Sequence, residues 1–256
     1  MKPFISIIGG KTRRARRLAE LLPTARCYVE VFGGSAAVLF AKERSSVEIY
    51  NDADGELVNL FKTVRDRPGG LSEALRFLPA SREFYRELLN GSCSDGDSVR
   101  RAAAYYFVLR NSFSCKPGAG FRSSRAERSR YSMFADFTKW SERLDRVYIE
   151  DLDFEDVIEK YDGPDTIFFV DPPYPGRERY YNGGFKPEDH ERLRDVLAGT
   201  RGKWLLTYAD TREIRELYGG YHIRAETVPY SASLDRGKRR PPANELVISD
   251  YDTEGE

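Results

Sequence analysis

The sequence predicts an α/β fold built on a parallel sheet, and three observations carry that expectation. An apolar run, Thr166 to Val170, reads as a buried parallel strand and stops abruptly at Asp171-Pro172-Pro173-Tyr174. A second strand-like run, Tyr28 to Phe32, passes through Gly33-Gly34-Ser35 into a helix starting over Ala36 to Lys42. A third, Val47 to Tyr50, leads into Asn51-Asp52-Ala53-Asp54 and so sets an acid 18 residues beyond Gly34. Open α/β sheets bind ligands outside the carboxyl ends of their strands, so function is expected at these three endings.

Composition narrows the class. The 256 residues suffice for one sizeable domain or a domain with an insertion; 40% are hydrophobic, 13% aromatic and 32% charged, as in a folded globule with a polar surface. No apolar run reaches the roughly 18 residues a membrane span needs. The N-terminus lacks the apolar stretch and small-residue cleavage pattern of a signal peptide, so a cytoplasmic protein is expected. Cys27, Cys93 and Cys115 are too scattered for a disulfide framework or zinc site, and with only His190 and His222 no metal centre is expected. Net charge is zero, but the basic residues cluster: Lys11 to Arg17, Arg122 to Arg130, and Arg236 to Arg240. Such clusters form a local phosphate-binding face or, equally for the first, a solvated helix face.

Along the chain, Ile5 to Thr12 opens the protein, and Ala15, Leu18, Ala19 and Leu22 mark a short helix closed by Pro23. Gly10-Lys11-Thr12 invites a nucleotide-phosphate reading, but the glycine that a phosphate loop needs five residues before Gly10 is Ile5. Asp52 is the candidate for ribose hydroxyls, with Asp54 as fallback; Asp54 also precedes the apolar-periodic Leu57 to Val64 and suits a helix N-cap. From Pro68-Gly69-Gly70 the strand-helix alternation stops. Residues 71 to 90 and 97 to 111 look helical, and a Gly/Ser/Arg-rich loop from Ser114 to Tyr131 follows. Residues 68 to 146 are expected to form an inserted, mainly helical recognition region, and 1 to 67 with 147 to 256 the catalytic domain. Arg122, Arg125, Arg128 and Arg130 are candidates for phosphates or base edges. Val147 to Glu150 restores the strand pattern, and Asp153 suits a cap for a helix from Phe154 to Lys160. Tyr180-Tyr181 and Gly183-Gly184-Phe185 are expected to form a closing segment. A helix from Pro187, a strand over Trp204 to Tyr208, a helix over Arg212 to Tyr218 and a strand over Glu245 to Ser249 complete the chain.

The chemistry of the Asp171 ending is specific. Prolines donate no backbone N–H, and Asp171 adds a side-chain acceptor, so the edge offers acceptors and few donors. An exocyclic amino group suits it, its two N–H donors met by a carboxylate oxygen and a main-chain carbonyl. Tyr174 then offers a face to a flat heterocycle, a stacking contact worth roughly 1–3 kcal/mol.

Asp171-Pro172-Pro173-Tyr174 resembles the motif of amino-group methyltransferases, and its Asp form that of the adenine-N6 DNA enzymes. Gly9-Gly10-Lys11, Phe32-Gly33-Gly34 and Asp52 precede it in the order of the alpha group of Dam-like (D12 class) enzymes. The second is similar to a Phe-x-Gly-Gly cofactor motif, with Val31 where the family has proline and Ser35 in a glycine-rich position. The resemblance implies a Rossmann-like S-adenosylmethionine-dependent sheet, duplex DNA as partner and direct methyl transfer to a flipped adenine. Asp171, Pro172, Pro173 and Tyr174 would be catalytic. Ile7, Lys11, Phe32, Gly33, Gly34, Asp52, Asp151, Phe154 and Asp171 would face S-adenosylmethionine. Asn111, with Phe113, would contact the extruded base or its orphan, and Lys238, Arg239 and Arg240 would form a basic loop at DNA. A monomer or weak dimer is expected, with a cognate restriction endonuclease as a partner the resemblance allows. RNA adenine or protein glutamine as acceptor, and a DNA-binding module without turnover, are the alternatives.

Overall fold

The computed structural model describes residues 1–76, 78, 81–91, 96–112, 120–121, 136–228 and 243–253. In chain order the elements are α1 (Ala15–Glu20), β1 (Cys27–Glu30), α2 (Ala37–Ala41), β2 (Val47–Asn51), α3 (Gly55–Asp66), α4 (Pro68–Arg76), α5 (Arg82–Leu89), α6 (Ser98–Asn111) and α7 (Thr138–Leu144). They continue with β3 (Val147–Glu150), α8 (Phe154–Tyr161), β4 (Thr166–Val170), a 3-10 turn (Glu178–Tyr180), α9 (Asp189–Ala198), β5 (Lys203–Ala209), α10 (Arg212–Leu217), β6 (His222–Val228) and β7 (Ala243–Ser249). The chain divides into two compact units. The first holds Met1–Arg17, Gly34–Lys42 and Asp54–Asp151; the second holds Leu18–Gly33, Glu43–Ala53 and Leu152–Glu256.

The second unit holds a mixed sheet whose described strands run in the order β2-β1-β4-β5-β7-β6; β3 belongs to the first unit. β1 runs parallel to β2 and β4, and β4 parallel to β5; β7 is antiparallel to both its neighbours. Successive strands leave β1 toward β2 on one side and β4 toward β5 on the other, so the order reverses between β1 and β4. A crevice at the carboxyl ends of two such strands is where an open α/β sheet holds its ligand.

One face of this sheet carries Val29, Val31, Ile49, Phe168, Val170, Trp204, Leu206, Tyr208, Leu246 and Ile248. They pack with Phe154, Val157 and Ile158 of α8, Leu193 and Leu197 of α9, and Ile214 of α10. The alternate residues Tyr28, Ile167, Phe169, Leu205 and Thr207 are buried as well. Burial on both faces is why β4 reads as an unbroken apolar run rather than an alternating one.

Helices dominate the first unit. Phe4 meets Phe61 with ring centroids 4.8 Å apart, Trp140 at 5.9 Å and Phe137 at 6.0 Å. Asn59 Nδ2 donates to the Ser98 carbonyl at 3.0 Å, tying α3 to the start of α6. α6 begins at Asp97, whose carboxylate accepts from the Val99 and Arg100 amides and so satisfies two of the orphan donors of a helix start.

The structure departs from the sequence reading at several elements. β1 ends at Glu30, so Phe32 already lies in the turn rather than in the strand. The helix expected over residues 71 to 90 is two helices, because Ser81 takes an extended backbone and its hydroxyl caps α5 by accepting from Phe84 N at 2.9 Å. Pro68-Gly69-Gly70, where the strand-helix alternation stops as expected, itself opens α4, with proline in the first turn where its missing N–H costs least. α7 and β6 were unforeseen. β6 carries alternating His222, Arg224 and Glu226, a polar edge strand whose composition gives little strand signal.

Asp162, at the end of α8, accepts from the Arg201 and Gly202 amides, each at 2.9 Å, and from Arg201 Nε at 3.2 Å. Burial raises its pKa, but these donors outweigh it and hold the carboxyl below the ordinary 3.8. A lowered folded pKa contributes stability that is present above the unfolded value and is lost as pH falls through the folded one. Asp162→Asn should therefore lower the thermal midpoint at pH 7, and its deficit relative to the parent should shrink on acidification below about pH 3.8. Paired melts across that range measure it.

Candidate functional site

The carboxyl ends of β1 and β4 lie side by side, with Val29 opposite Phe168 and Glu30 opposite Phe169, and the Val31 amide donates to the Phe169 carbonyl at 3.0 Å. Phe32-Gly33 and Asp171-Pro172 leave from this point. Asn51, buried at the end of β2, ties the edge together. Its Nδ2 donates to the Val31 carbonyl at 2.9 Å and the Leu152 carbonyl at 3.1 Å, and its Oδ1 accepts from Leu152 N at 2.9 Å. The Gly33 amide donates to the Asn51 carbonyl at 2.7 Å. Only glycine fits there, since a Cβ would lie 2.3 Å from Tyr50 Cε2 and 2.7 Å from that carbonyl.

At the β4 end, Pro172 and Pro173 are buried while Asp171 and Tyr174 are half-exposed. Thr207, the residue of β5 that follows the Val170–Leu206 register pair, donates its hydroxyl to Asp171 Oδ1 at 2.6 Å. The next residue, Tyr208, faces the other way, and its ring lies 5.9 Å from that of Tyr174. Adjacent residues of one buried strand therefore hold both ends of the Asp-Pro-Pro-Tyr corner.

An aromatic group completes this edge of the second unit. Phe32 lies 5.8 Å from Phe154 and 5.7 Å from Phe185, and Phe154 lies 5.7 Å from Phe185. Arg192 covers the outer face of Phe154, its guanidinium carbon 4.0 Å from the ring centroid, and pairs with Asp153, Glu155 and Asp189. Asp153 caps α8 through Glu155 N at 3.0 Å, so its carboxylate serves the helix start and Arg192. Asp52 sits half-buried just past β2, beside Ala53, against which Gly183 packs so closely that a Cβ would approach Ala53 Cβ to 2.8 Å. Gly183 also has φ of +111°, a backbone that side chains strain to adopt.

The remaining expected residues fall in the first unit. The turn carrying Ile7 is closed by Gly10 N donating to the Ile7 carbonyl at 3.0 Å, and a Cβ on Gly10 would lie 3.3 Å from Ser35 Oγ. That brings the Gly9-Gly10-Lys11 turn against the Gly34-Ser35 turn. Lys11 is buried with Nζ donating to the Gly9 carbonyl at 3.1 Å. Asp54 is the N-cap of α3, accepting from Glu56 N and Leu57 N, while its other oxygen accepts from Tyr105 Oη at 2.8 Å. Its geometry is thus that of the helix cap weighed for it. Asp151 is exposed, and a Cβ on Gly55 would lie 3.3 Å from its Oδ2. Asn111 is buried in α6, where its amide donates to the Phe107 carbonyl at 2.9 Å. Arg122, Arg125, Arg128, Arg130, Phe113, Lys238, Arg239 and Arg240 lie outside the described residues.

Sequence reasoning missed Asn51 and Thr207. For Thr207 a signal existed: a hydroxyl inside the apolar run Trp204 to Tyr208, on a strand expected to be buried.

Residues 8–231 match the model of the D12 class N6 adenine-specific DNA methyltransferases, and the chain belongs to that family. It is similar to the type II methyltransferase M.CviBI of Paramecium bursaria Chlorella virus NC1A, 27% identical over 98% of this chain and 100% of that protein. It is also similar to the retron Ec67 DNA adenine methylase of Escherichia coli, 24% identical over 97% and 92%, and to a DNA adenine methylase of Vibrio cholerae, 24% identical over 96% and 95%. The mixed α/β sheet agrees with that membership.

Because Gly33 has no room for a methyl group against Tyr50 and Asn51, Gly33→Ala should destabilise the protein by about 1–3 kcal/mol. Denaturant titration monitored by tryptophan fluorescence reads the change, and an unchanged midpoint would contradict the packing described.

Proposed function

We propose that this enzyme methylates the N6 amine of an adenine flipped out of duplex DNA, with S-adenosylmethionine as donor. The observation that carries the reading is the Asp171 corner itself: a half-exposed carboxylate, fixed by Thr207, at the end of a strand where two prolines remove backbone donors. N6 cannot meet a methyl donor while stacked in the duplex, so the base must leave the helix. Asp171 Oδ and the Pro172 carbonyl accept the two amine hydrogens, Pro173 fixes the direction of the corner, and Tyr174 stacks on the ring. The acceleration comes from positioning and from acceptors arranged before the substrate arrives.

The second unit has residues that fit S-adenosylmethionine at the adjoining strand ends. Phe32 and Phe154 offer apolar faces to an adenine ring, Asp52 offers a carboxylate for two ribose hydroxyls, and Gly33 lets the backbone come close. Bound there, the cofactor supplies an electrophilic sulfonium methyl group. Among the first-unit residues, Ile7, Lys11, Gly34 and Asp151 are proposed as further cofactor contacts, and Asn111 as a base contact, on the family resemblance.

The recognition region is proposed to be 68 to 146, with Arg122, Arg125 and Arg128 on DNA and Lys238, Arg239 and Arg240 adding phosphate contacts. No helix among the described residues is long and apolar enough to cross a membrane. We assign the enzyme to the cytoplasm, where its DNA is. The relatives named type II methyltransferases support a place in a restriction-modification pair.

Asp171→Ala should abolish measurable methyl incorporation into unmethylated mixed-sequence duplex DNA while S-adenosylhomocysteine still binds by calorimetry; parental turnover in that variant would refute the role. Thr207→Val keeps the shape of the side chain and removes the hydroxyl that fixes the Asp171 carboxylate. It should lower kcat on the order of ten- to a hundredfold with cofactor affinity little changed. Steady-state kinetics with tritiated donor check both.

A further inference from the structure

Behind the Asp171 corner runs a line of buried polar groups that the chemistry just described does not use. Glu178 Oε1 meets His190 Nε2 at 3.0 Å, and His190 Nδ1 meets the Tyr208 hydroxyl at 2.6 Å. Tyr208 is fully buried, and the His190 and Glu178 side chains are 10% and 13% exposed. The same Glu178 oxygen accepts from the Gly176 amide at 2.9 Å, and the Arg177 amide donates to the Tyr174 carbonyl at 2.9 Å. Tyr208 in turn lies against the Tyr174 ring. The contacts close a ring: from Tyr174 along its turn to Glu178, through His190 to Tyr208, and back to Tyr174.

The surroundings bear on the protons of Tyr208 and Glu178. Burial, with the neighbouring Tyr218, Tyr174, Asp171 and Glu178, pushes the Tyr208 hydroxyl well above its ordinary value, so it keeps its proton and can donate. Burial raises Glu178, but the bonds from His190 and the backbone outweigh it and hold the carboxyl below its ordinary value, so it accepts. The two ring nitrogens of His190 therefore each meet a partner, Nδ1 the Tyr208 hydroxyl and Nε2 the Glu178 carboxylate.

We infer that His190 is a positioning residue for methyl transfer, holding the Tyr174 ring through Tyr208 and the following turn through Glu178. The inference rests on the proposed stacking of the target base on Tyr174. A histidine that merely satisfied itself in the core would need no link to the corner, yet both of its ring nitrogens lead back to the segment that carries Tyr174. Buried polar groups cost free energy unless paired, and an apolar trio of similar size would fill the space without that cost. What the polar set adds is direction, since hydrogen bonds fix ring orientation where apolar packing leaves rotation. His190 also meets Phe185 edge-on at 5.1 Å, and Phe185 packs on Phe32, so the same imidazole borders the aromatic group assigned to the cofactor.

The test is a double-mutant cycle in the full chain with His190→Ala, Tyr208→Phe and the pair. It measures kcat and KM on unmethylated mixed-sequence duplex DNA, affinity for S-adenosylhomocysteine, and thermal midpoint. Each single variant should lose about tenfold or more in kcat, with S-adenosylhomocysteine affinity within about twofold of the parent. The pair should be no worse than the more damaging single variant to within about twofold, because both cut the same chain of contacts. His190→Asn, which keeps an acceptor near the Nδ1 position, should recover part of the rate. Tyr208→Phe removes one oxygen and keeps the ring, so it carries the test should His190→Ala fail to fold. Singles within about twofold of parental kcat, losses that multiply in the pair, or cofactor affinity falling in step with rate would each overturn the inference. Tyr174→Ala separates the two layers. Parental kcat in that variant sinks the stacking role on which this rests. A large loss there beside intact His190 and Tyr208 variants sinks only the positioning role.

Discussion

Two strand ends and the segment that enters α8 meet in the second unit, and one side-chain amide ties them together. Asn51 gives both of its N–H groups and receives one, joining the chain after β1, the end of β2 and the segment that enters α8. Buried carbonyls and amides at strand ends have no ladder partners left, and leaving them unmet costs more than a hydrogen bond gains. A single primary amide meets three of them. The backbone of the same residue receives the Gly33 amide, so the glycine turn and the carboxylate-bearing loop after β2 hang from one point. The aromatic rings, Asp52 and the Asp-Pro-Pro-Tyr corner inherit their spacing from that junction and from the β1–β4 register.

Electrostatics in this unit follow a division of labour. Arg192 is surrounded by three carboxylates and rests on the Phe154 ring, so it fastens α8 to α9 and buttresses an aromatic wall. Half-exposed pairs of this kind add little stability singly, but a shared guanidinium restrains several side chains at once. Asp171, by contrast, is held through a neutral hydroxyl. The Thr207 hydroxyl orients one of its oxygens.

The sheet was legible because its strands are buried on both sides, which turns them into apolar runs whose ends stand out, and β4 matched its expected limits residue for residue. The place where β4 stops was legible for a related reason: prolines donate no backbone N–H and cannot extend the ladder. β6 escaped because an edge strand with alternating charges looks like a loop to any hydrophobic pattern. Asp54 and Asp153 each precede an apolar-periodic helix and each caps it, while Asp52 lies two residues before Asp54, on the strand side. Thr207, Glu178 and His190 could not be assigned to the corner from sequence, since they come from a strand, a 3-10 turn and a helix that only tertiary packing brings to Asp171 and Tyr174.

The pairing of β5 gives these contacts a sensitivity of an unusual kind. β5 is hydrogen-bonded on one side to parallel β4 and on the other to antiparallel β7, and its last residues alternate a hydroxyl toward Asp171 with a phenol toward Tyr174. Because neighbouring side chains leave a strand on opposite faces, sliding β5 by a single position would replace the hydroxyl at Asp171 with Leu206 or Tyr208, and the phenol at Tyr174 with Thr207 or Ala209. Under the proposed function, strand alignment here is part of the reaction machinery, and misaligned folding would yield a protein nearly native in outline and chemically mute.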